Sequence, residues 1–451
     1  MVTNLNEQEL IKKAEKPGRD AMRLHPYYQG KLEVAPKCCI RDFTDFAIWY
    51  TPGVAKPCLA IKDNPELVFQ HTNKANFVAV VSDGTRVLGL GDIGPEAGLP
   101  VMEGKGILFK YLGGVDAFPI CVDTKDPEEI IDFVLKLQPS FGGINLEDLS
   151  QPKCFHILDT LRAKARIPVW HDDQQGTAAV TLAGLVNALK IVGKKINQVK
   201  IVMNGAGASN IAITRLIISA GADPKKMILL DSKGTLHPGR DDCKEKYPQK
   251  WHYCTTTNGE RIIGDSPTAI KGADVLISLS KSGPDVIKPE WISSMKKDSI
   301  VFTCANPVPE IWPWKAKEAG ARIVATGRSD FPNQVNNSLG FPGIFRGTLD
   351  VMAKTITDEM CIEASLELAR CAEDKGMHED YLIPTMDEWE VFPREAVAVG
   401  QMAIKQGVAR IKMSPDEAFK VAESVIRRAR HQYEALYEAG VIVPPPEDPE
   451  A

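Results

Sequence analysis

Three carboxylates follow short apolar runs, in positions that suit a metal site. Glu147 and Asp148 come directly after the run GGIN, and Asp173 follows the run IPVW. Hard divalent cations such as Mg²⁺ and Mn²⁺ take a few carboxylate ligands and keep positions for water or substrate. The alternative is that Asp172 and Asp173 cap the helix predicted just after them, at residues 176–192. Spacing alone leaves both interpretations open.

A glycine-rich turn follows another apolar run and has the pattern of a dinucleotide-binding site. The run QVKIVM leads into Asn204-Gly205-Ala206-Gly207-Ala208-Ser209-Asn210, and an apolar helix follows. Gly205 permits the tight turn, Gly207 lets the backbone approach a pyrophosphate, and the helix N-terminus supplies N–H donors. The third position of the fingerprint is Asn210 instead of Gly or Ala. The pattern favours dinucleotide binding over a simple strand-to-helix turn.

The residues after the next apolar run leave the choice of dinucleotide open. The run MILL ends in Asp231, where an acid can accept both ribose hydroxyls, and this favours NAD. Ser232 and Lys233 follow at once, with Arg240 nearby, and these residues could bind and neutralise a 2′-phosphate. We expect NADP by a small margin, with NAD as the alternative.

A third group of reactive side chains lies nearer the N-terminus. It comprises Tyr50 in the segment YTPGV, Arg86 in a glycine-rich segment, and Lys105 between two glycines. A lysine in such a setting suits a phosphate binder, a catalytic base or a solvated loop cation. Tyr50 suits a packed ring as well as a proton donor. Residue type alone does not choose among these roles.

Alternating strand and helix patterns in the middle of the chain predict an α/β fold. Near-continuous apolar runs are typical of strands covered on both faces. The predicted strands are 77–81, 167–170, 198–203, 227–230, 274–279, 300–304 and 321–325; the predicted helices are 176–192, 211–220, 350–371, 395–406 and 415–439. This order predicts a doubly wound, Rossmann-type parallel sheet between about residues 165 and 350.

The same pattern divides the chain into three regions. We expect an N-terminal α/β catalytic domain with the substrate and metal residues at 1–165, a dinucleotide-binding domain at 166–350, and a helical C-terminal segment at 351–451 that packs on both. Ligands of parallel sheets bind at the carboxyl ends of the strands. Polar residues occur at several such ends, namely 147–148, 171–173, 204–210, 305–307 and 326–330.

Composition excludes several classes of protein. The chain has 451 residues, 44% of them hydrophobic, and 54 basic against 59 acidic side chains, for a net charge of −5. This balance argues against nucleic-acid and anionic-membrane partners, and no apolar run approaches the roughly 18 residues of a membrane span. Ten cysteines without a CxxC pair, and a polar start without a signal-peptide pattern, lead us to expect a cytoplasmic protein.

Taken together, these segments resemble the malic enzyme family, in the shorter form found in prokaryotes and some unicellular eukaryotes. The resemblance covers residues 48–347 and rests on YTPGVA, SDGTRVLGLGDIGPEAGLPVMEGKG, FGGINLEDLS, VWHDDQQGTAAVTLAGL, NGAGASNIA, LLDSKG, CANPVPE and ATGRSDFPNQVNNSLGFPG, which occur in the family's order. It implies oxidative decarboxylation of (S)-malate to pyruvate and CO₂, with reduction of NADP or NAD and a bound Mg²⁺ or Mn²⁺.

The resemblance also implies roles for single residues. Lys105 matches the general base that accepts the C2 hydroxyl proton, and Asp172 stands behind it as a supporting partner. Tyr50 matches the acid that protonates C3 of the enolate. The matched metal ligands are Glu147, Asp148 and Asp173.

Further matches concern the substrate and the partner chain. Arg86 matches an arginine that pairs with a substrate carboxylate, a task suited to its planar guanidinium. Asn306 matches an amide that contacts cofactor and substrate, and either Asn336 or Asn337 matches a second amide. The family implies a homodimer, and short members can share residues between the two active sites.

Other functions fit parts of the pattern. An amino-acid dehydrogenase shares the two-domain plan but leaves the three carboxylates without a role. Malolactic or oxaloacetate decarboxylase activity could use the same site without net hydride output. A catalytically silent nucleotide sensor would have lost the acid, the base or the ligands, and Tyr50, Lys105 and Glu147 are all present.

Overall fold

Two β-sheets organise the chain, of which the computed structural model describes residues 7–328 and 331–448. The described strands are β1 Phe77–Ser82, β2 Asp116–Cys121, β3 Gly143–Leu146, β4 Val169–His171, β5 Ile201–Asn204, β6 Met227–Asp231, β7 Gly234–Thr235, β8 Val275–Ser278, β9 Ser299–Thr303 and β10 Ala321–Thr326. The doubly wound α/β fold class predicted from sequence is confirmed. Ser329 and Asp330, at one predicted strand end, lie outside the described residues.

Helices cover the sheets and form the C-terminal part of the chain. Their bounds are α1 Glu7–Tyr28, α2 Phe46–Trp49, α3 Ala55–Asp63, α4 Val68–His71, α5 Pro95–Gly113, α6 Pro127–Leu137, α7 Lys153–Lys164, α8 Thr177–Ile191, α9 Ala208–Ser219, α10 Asp241–Lys244, α11 Pro248–Thr256, α12 Ser266–Ile270, α13 Pro289–Ser293, α14 Pro313–Glu318, α15 Phe341–Asp350, α16 Asp358–Asp374, α17 Val391–Lys405 and α18 Pro415–Glu438. No helix in the described part of the chain is long and apolar enough to cross a membrane.

The first sheet is parallel, with strand order β2-β1-β3-β4. The sequence placed the strand at 167–170 in the dinucleotide sheet, and this is wrong, because β4 pairs with β3. The sequence of an apolar strand does not show which strand it pairs with, because the pairing depends on how the intervening helix α7 crosses over. The consequence is functional. Leu146 lies opposite His171, so the carboxylates after β3 and β4 emerge side by side.

The second sheet has strand order β10-β9-β8-β5-β6-β7 and is parallel except for β7. Its direction of winding reverses between β5 and β8, which is where such sheets bind ligands. Successive residues of β5 face opposite layers: Ile201 and Met203 join one buried cluster, and Val202 joins the other. Apolar cover on both faces explains why these strands are near-continuous apolar runs.

Two secondary-structure predictions needed correction. Strand β2 was not among the predicted strands. It contains Pro119 but lies at the edge of its sheet, where a missing N–H is tolerated. The helix predicted at 350–371 begins later, at Asp358, and residues 351–357 are a loop between two helices. α15 ends at Asp350, and α16 begins after Thr357, whose hydroxyl accepts the Met360 N–H and caps the new helix. The domain limits at 165 and 350 stay predictions.

The C-terminal helices pack back onto the first domain. α15 and α18 both contact α5, and Phe341 and Phe345 of α15 place their rings 4.6 and 5.1 Å from the ring of Phe109. Aromatic pairs at this spacing add to the energy of simple burial. This packing holds α5, the helix that contains Lys105, from behind.

One buried acid in these helices yields a stability prediction. Glu395 of α17 lies against Gly343 of α15, is fully buried, and forms no hydrogen bond with the described residues. Burial holds the pKa of Glu395 well above its ordinary 4.5. The unfolded chain therefore ionises this group at lower pH than the folded chain, so rising pH destabilises the fold, by up to about 1.4 kcal/mol per pH unit, until the raised pKa is reached.

We therefore expect Glu395→Gln to stabilise the protein increasingly as pH rises. Thermal unfolding of variant and wild type between about pH 5 and pH 8 measures the difference in melting temperature. A difference that stays constant with pH would show that Glu395 does not hold its proton in the fold.

Candidate active site

The three predicted metal ligands form one cluster at the carboxyl ends of β3 and β4. One oxygen from each of Glu147, Asp148 and Asp173 lies within 4.8 Å of the other two. The Asp148 N–H donates to Asp173 Oδ2 at 2.9 Å, which links the two strand ends. Asp148 adopts a φ of 55°, a left-handed conformation that is unusual for a residue with a side chain. Such strain is typical of functional sites.

The alternative that Asp172 and Asp173 are helix caps is wrong. A π-helical turn at Asp172–Gly176 precedes α8, and the N-cap positions of the turn and of α8 are His171 and Gly176, neither of which forms a side-chain capping hydrogen bond. The Asp172 carboxylate instead accepts from Lys105 Nζ at 2.7 Å and from Trp170 Nε1 at 3.1 Å. A Cβ on Gly176 would overlap Asp172 Oδ1, so only glycine allows the turn to close on this carboxylate.

Lys105 lies at the centre of the site. Its Nζ is hydrogen-bonded to Asp172 and lies 2.9 Å from Glu147 Oε1, and both carboxylates are buried with it. The ammonium also stands 4.4 Å from the centre of the Phe341 ring. The base expected from the resemblance and the expected metal ligand Glu147 are therefore in direct contact.

Charge and burial shift the titration of these groups. Burial alone would lower the pKa of Lys105, but Asp172 and Glu147 outweigh it, so the pKa is raised. Burial raises the pKa of Glu147 well above its usual range, although Lys105 opposes this. Burial and the neighbouring Asp173 raise the pKa of Asp148 to about 7. The four carboxylates of Glu147, Asp148, Asp172 and Asp173 have one neighbouring ammonium, that of Lys105, so the net negative charge of the site attracts a further cation.

Unsatisfied polar atoms support a cation site. Asp148 Oδ2 is buried and has no hydrogen-bond partner among the described residues. Both ring nitrogens of the fully buried His171 also have no hydrogen bond, with Nδ1 3.6 Å from Asp173 Oδ2. Buried polar atoms without partners are rare and call for a ligand or water. The donor set, all oxygen at its centre, fits Mg²⁺ or Mn²⁺.

Sequence reasoning missed Asn145. Its Nδ2 donates to Glu147 Oε2 at 2.8 Å, so Asn145 and Lys105 together hold both oxygens of that carboxylate. The signal was available, because Asn145 is a polar residue inside an otherwise apolar strand.

Arg86 lies on the rim of the site. Its backbone N–H donates to Asp148 O at 2.9 Å, while its exposed guanidinium donates to Leu88 O at 2.7 Å. The side chain is free to turn towards a substrate carboxylate with the loss of one exposed hydrogen bond.

Tyr50 is not brought into this cluster. It follows the short helix α2 and is 71% exposed, and its hydroxyl forms no hydrogen bond with the described residues. Its neighbours Phe43, Phe46 and Trp49 are also exposed, by 90%, 46% and 49%. An exposed apolar segment of this size is typical of an interaction surface.

The glycine-rich turn has the geometry expected for a dinucleotide. Gly205 has a φ of 103°, and a Cβ there would stand 2.7 Å from Leu279 O. A Cβ on Gly207 would meet no atom within 4 Å, so that face of the turn is open to a pyrophosphate. Asn210 Nδ2 donates to Asn204 O at 3.0 Å and Gly205 O at 2.8 Å. Asn210, the residue that departs from the fingerprint, thus stabilises the turn by hydrogen bonds. Ala208 and Ser209, which open α9, offer the N–H groups beside it.

The predicted amides differ in their availability. Asn336 Oδ1 accepts the Ser338 N–H at 2.9 Å and caps a short 3₁₀ turn, so its carbonyl is occupied. Asn337 has no side-chain hydrogen bond with the described residues, and its Cβ borders the Gly176 turn next to Asp172. Asn306 is exposed after β9, next to Gly327. Of the doublet, Asn337 is the residue whose side-chain amide is left without a partner among the described residues.

Comparison with known families decides the identity of this fold and site. A family model of the malic enzyme N-terminal domain matches residues 29–162, and one of the malic enzyme NAD-binding domain matches residues 174–404. The chain belongs to the malic enzyme family.

Relatives and solved structures agree with this. A Bacillus subtilis (strain 168) protein named bifunctional malic/malolactic enzyme is 49% identical over 398 residues, 88% of this chain and 96% of its own. An NAD-dependent malic enzyme of Geobacillus stearothermophilus is 49% identical over 381 residues, 84% of this chain and 78% of its own. The crystal structure of the Entamoeba histolytica malic enzyme superposes with a TM-score of 0.95 at 52% identity, covering 98% of this chain and 93% of that one.

In this malic enzyme, the acid at the end of β6 is already paired. Asp231 forms a two-point ion pair with Arg240, at 3.0 and 2.9 Å, and a third contact with Lys250 Nζ at 3.2 Å. Burial would raise the pKa of Asp231, but these cations outweigh it and lower the pKa. Lys233 is exposed and pairs with Asp242 at 2.9 Å, and Ser232 is exposed beside it. The acid expected to favour NAD is therefore surrounded by positive charge.

Proposed function

We propose that this malic enzyme converts (S)-malate to pyruvate and CO₂ with reduction of NADP⁺ or NAD⁺, and requires a divalent cation. The observation that supports this most strongly is the contact of buried Lys105 with Asp172 and with Glu147, one of three carboxylates grouped for a cation. A proton acceptor and a cation site in contact are what oxidation of a 2-hydroxy acid needs.

The carboxylates of Glu147, Asp148 and Asp173 would hold Mg²⁺ or Mn²⁺, at a place where Asp148 Oδ2 has no other partner. When bound, such a cation supplies Lewis-acid stabilisation of the negative charge that develops on the substrate oxygen. Asn145 and Lys105 keep Glu147 oriented before the ligand arrives.

Lys105 Nζ accepts the proton of the C2 hydroxyl as hydride leaves for the nicotinamide. A base must be neutral when it acts, whereas Asp172 and Glu147 now raise the pKa of Lys105. A cation held by Glu147 would offset the carboxylate charge that keeps the proton on Lys105. Asp172, fixed by Trp170, keeps Nζ in place through this change.

Tyr50 protonates C3 of the enolate, and we propose that it does so in the active site of a second copy of the chain. Support comes from its 71% exposure and from the exposed apolar side chains around it. A twofold dimer that buries this segment would place each Tyr50 at the partner's site. The ten free cysteines suit the reducing cytoplasm, where we place the enzyme.

NADP is the nucleotide that the charges around Asp231 favour. Arg240 and Lys250 occupy the Asp231 oxygens that would otherwise accept the ribose hydroxyls, while Ser232 and Lys233 stand exposed beside them. Positive charge with a free hydroxyl suits a 2′-phosphate.

This proposal predicts a selective loss in one variant. Lys233→Ala should lower kcat/KM for NADP⁺ about tenfold, the value of one charge-assisted hydrogen bond to phosphate, and leave kcat/KM for NAD⁺ nearly unchanged. Steady-state kinetics with both nucleotides measure this. Lys246→Ala, an exposed lysine of the same segment, is the matched control. Equal losses with both nucleotides would contradict a 2′-phosphate site at Lys233.

The metal proposal predicts that chelation abolishes turnover. Treatment with EDTA should lower malate oxidation by more than about 100-fold, because charge stabilisation by a cation accounts for several kcal/mol of the barrier. Added Mn²⁺ or Mg²⁺ should restore it, while dinucleotide binding in EDTA stays intact, since the turn at Gly205 lies on the other sheet. Full activity in chelator would contradict the carboxylate site.

Malolactic conversion is the second candidate, because the Bacillus subtilis relative is named for both activities. The same base, cation site and nucleotide could return the hydride to pyruvate and release lactate. The two functions differ in product, so lactate measured beside pyruvate separates them.

A further inference from the structure

One buried carboxylate outside the predicted site joins two loops at the carboxyl ends of strands in the dinucleotide sheet. Glu310 is fully buried and follows β9. Its Oε1 accepts from Ser278 Oγ at 2.8 Å and from the Ser280 N–H at 2.9 Å, and its Oε2 accepts from the Ala305 N–H at 3.1 Å. Donors from the loops after β8 and β9 therefore converge on a single side chain.

The first of these loops forms one wall of the dinucleotide turn. Leu279 O and Ser280 Cα lie 2.7 and 3.2 Å from the place where a Cβ on Gly205 would stand. Asn204 Nδ2 also donates to Ser278 Oγ at 3.0 Å. The position of Gly205 against this loop thus depends on the Ser278 and Ser280 hydrogen bonds that end on Glu310.

The second loop presents Asn306. Ala305, whose N–H Glu310 accepts, directly precedes it, and Asn306 O lies 3.0 Å from the place of a Cβ on Gly89 in the first domain. This loop therefore reaches from the dinucleotide sheet to the rim of the catalytic site. A carboxylate that fixes both loops sets the separation between the pyrophosphate turn and Asn306.

We propose that Glu310 is a positioning residue for the dinucleotide: it acts through Ser280 and Ala305 and does not touch the cofactor. This inference rests on the proposed function only for the statement that the ligand is NADP or NAD. It predicts that losing the carboxylate weakens nucleotide binding while the chemistry at Lys105 survives. Preorganised loops lose function when their support moves by a fraction of an ångström.

The test is Glu310→Gln, which keeps the side-chain volume but turns one acceptor into a donor that faces a backbone N–H. We expect the KM for NADP⁺ and the Kd for NADPH, measured by fluorescence titration, each to rise about tenfold or more. The kcat for oxaloacetate decarboxylation, which needs no hydride transfer, should stay within about twofold of the wild-type value. Glu395→Gln is the matched control, since it alters an equally buried carboxyl that bonds to neither loop. The control should bind NADPH as the wild type does.

The outcomes separate this inference from the proposed function. Unchanged NADPH affinity in Glu310→Gln, or equal weakening in Glu395→Gln, would overturn the positioning role. Wild-type protein that binds no dinucleotide would instead overturn the proposed function. If Glu310→Gln fails to fold, Ser278→Ala removes one of the same hydrogen bonds, and we expect about a threefold rise in the NADPH Kd. No rise in that variant would also overturn the proposal.

Discussion

Lys105→Met is expected to lower malate oxidation by about 100- to 10⁴-fold, the range attributed to a lost general base. No other amine is hydrogen-bonded to Asp172 or Glu147 among the described residues, so no neighbour can replace it. Oxaloacetate reduction should fall equally, because the same proton returns in the reverse step. Dinucleotide affinity should stay nearly unchanged, because the Gly205 turn belongs to the second sheet.

The substitution also leaves two buried carboxylates without their cation, so stability has to be controlled. Lys74→Met is the matched control. Lys74 is also buried and donates to main-chain carbonyls at Gln138 and Phe141, outside the site. We expect it to lower the melting temperature but keep kcat within about twofold, since it touches no reacting group. Wild-type turnover in Lys105→Met would show that another group is the base.

The second large effect concerns Tyr50 and the partner chain. Tyr50→Phe should slow exchange of the pyruvate methyl protons in D₂O by about 100-fold, while oxaloacetate reduction changes little, because only enolate protonation needs the phenol. Similar losses in both partial reactions would contradict the role of proton donor.

Mixed dimers show where Tyr50 acts. Subunits with Tyr50→Phe and subunits with Lys105→Met are each expected to be inactive, but a random mixture should regain about a quarter of wild-type activity, since half of the dimers would then contain one intact site. An inactive mixture that contains mixed dimers would place Tyr50 in its own subunit's site.

Much of the site could be predicted from the sequence because its chemistry follows strand ends. Glu147, Asp148 and Asp173 lie together as their positions suggested, and Gly205 needs the left-handed conformation that the fingerprint assigns to it. Local sequence determines where a strand ends and which turn follows.

Pairing between distant segments could not be predicted in the same way. The assignment of β4 to the wrong sheet is the clearest case, since nothing in the run IPVW says that its neighbour is β3. The position of Asp231 allows it to accept ribose hydroxyls, and only the fold shows that Arg240, nine residues later, takes both of its oxygens. Glu310 closes the segment CANPVPE, but nothing in that segment assigned it a role, because its importance depends on hydrogen bonds from two separate loops. These features depend on the folded arrangement.

The exposed position of Tyr50 has a different cause. Its surroundings, including Phe43 and Trp49, are apolar and lie on the surface of the single chain. In the dimer that we propose, a second copy would bury them, whereas a single sequence or a single chain shows only that a surface is left uncovered.

The central claim is oxidative decarboxylation of malate, and the most direct test is a product balance. (S)-Malate, Mn²⁺ and NADP⁺ are incubated with the enzyme, and malate consumed, pyruvate, lactate, CO₂ and NADPH are all measured in one reaction. We expect one pyruvate, one CO₂ and one NADPH for each malate, without lactate. Malate lost without NADPH, or no loss of malate with either NADP⁺ or NAD⁺, would contradict it.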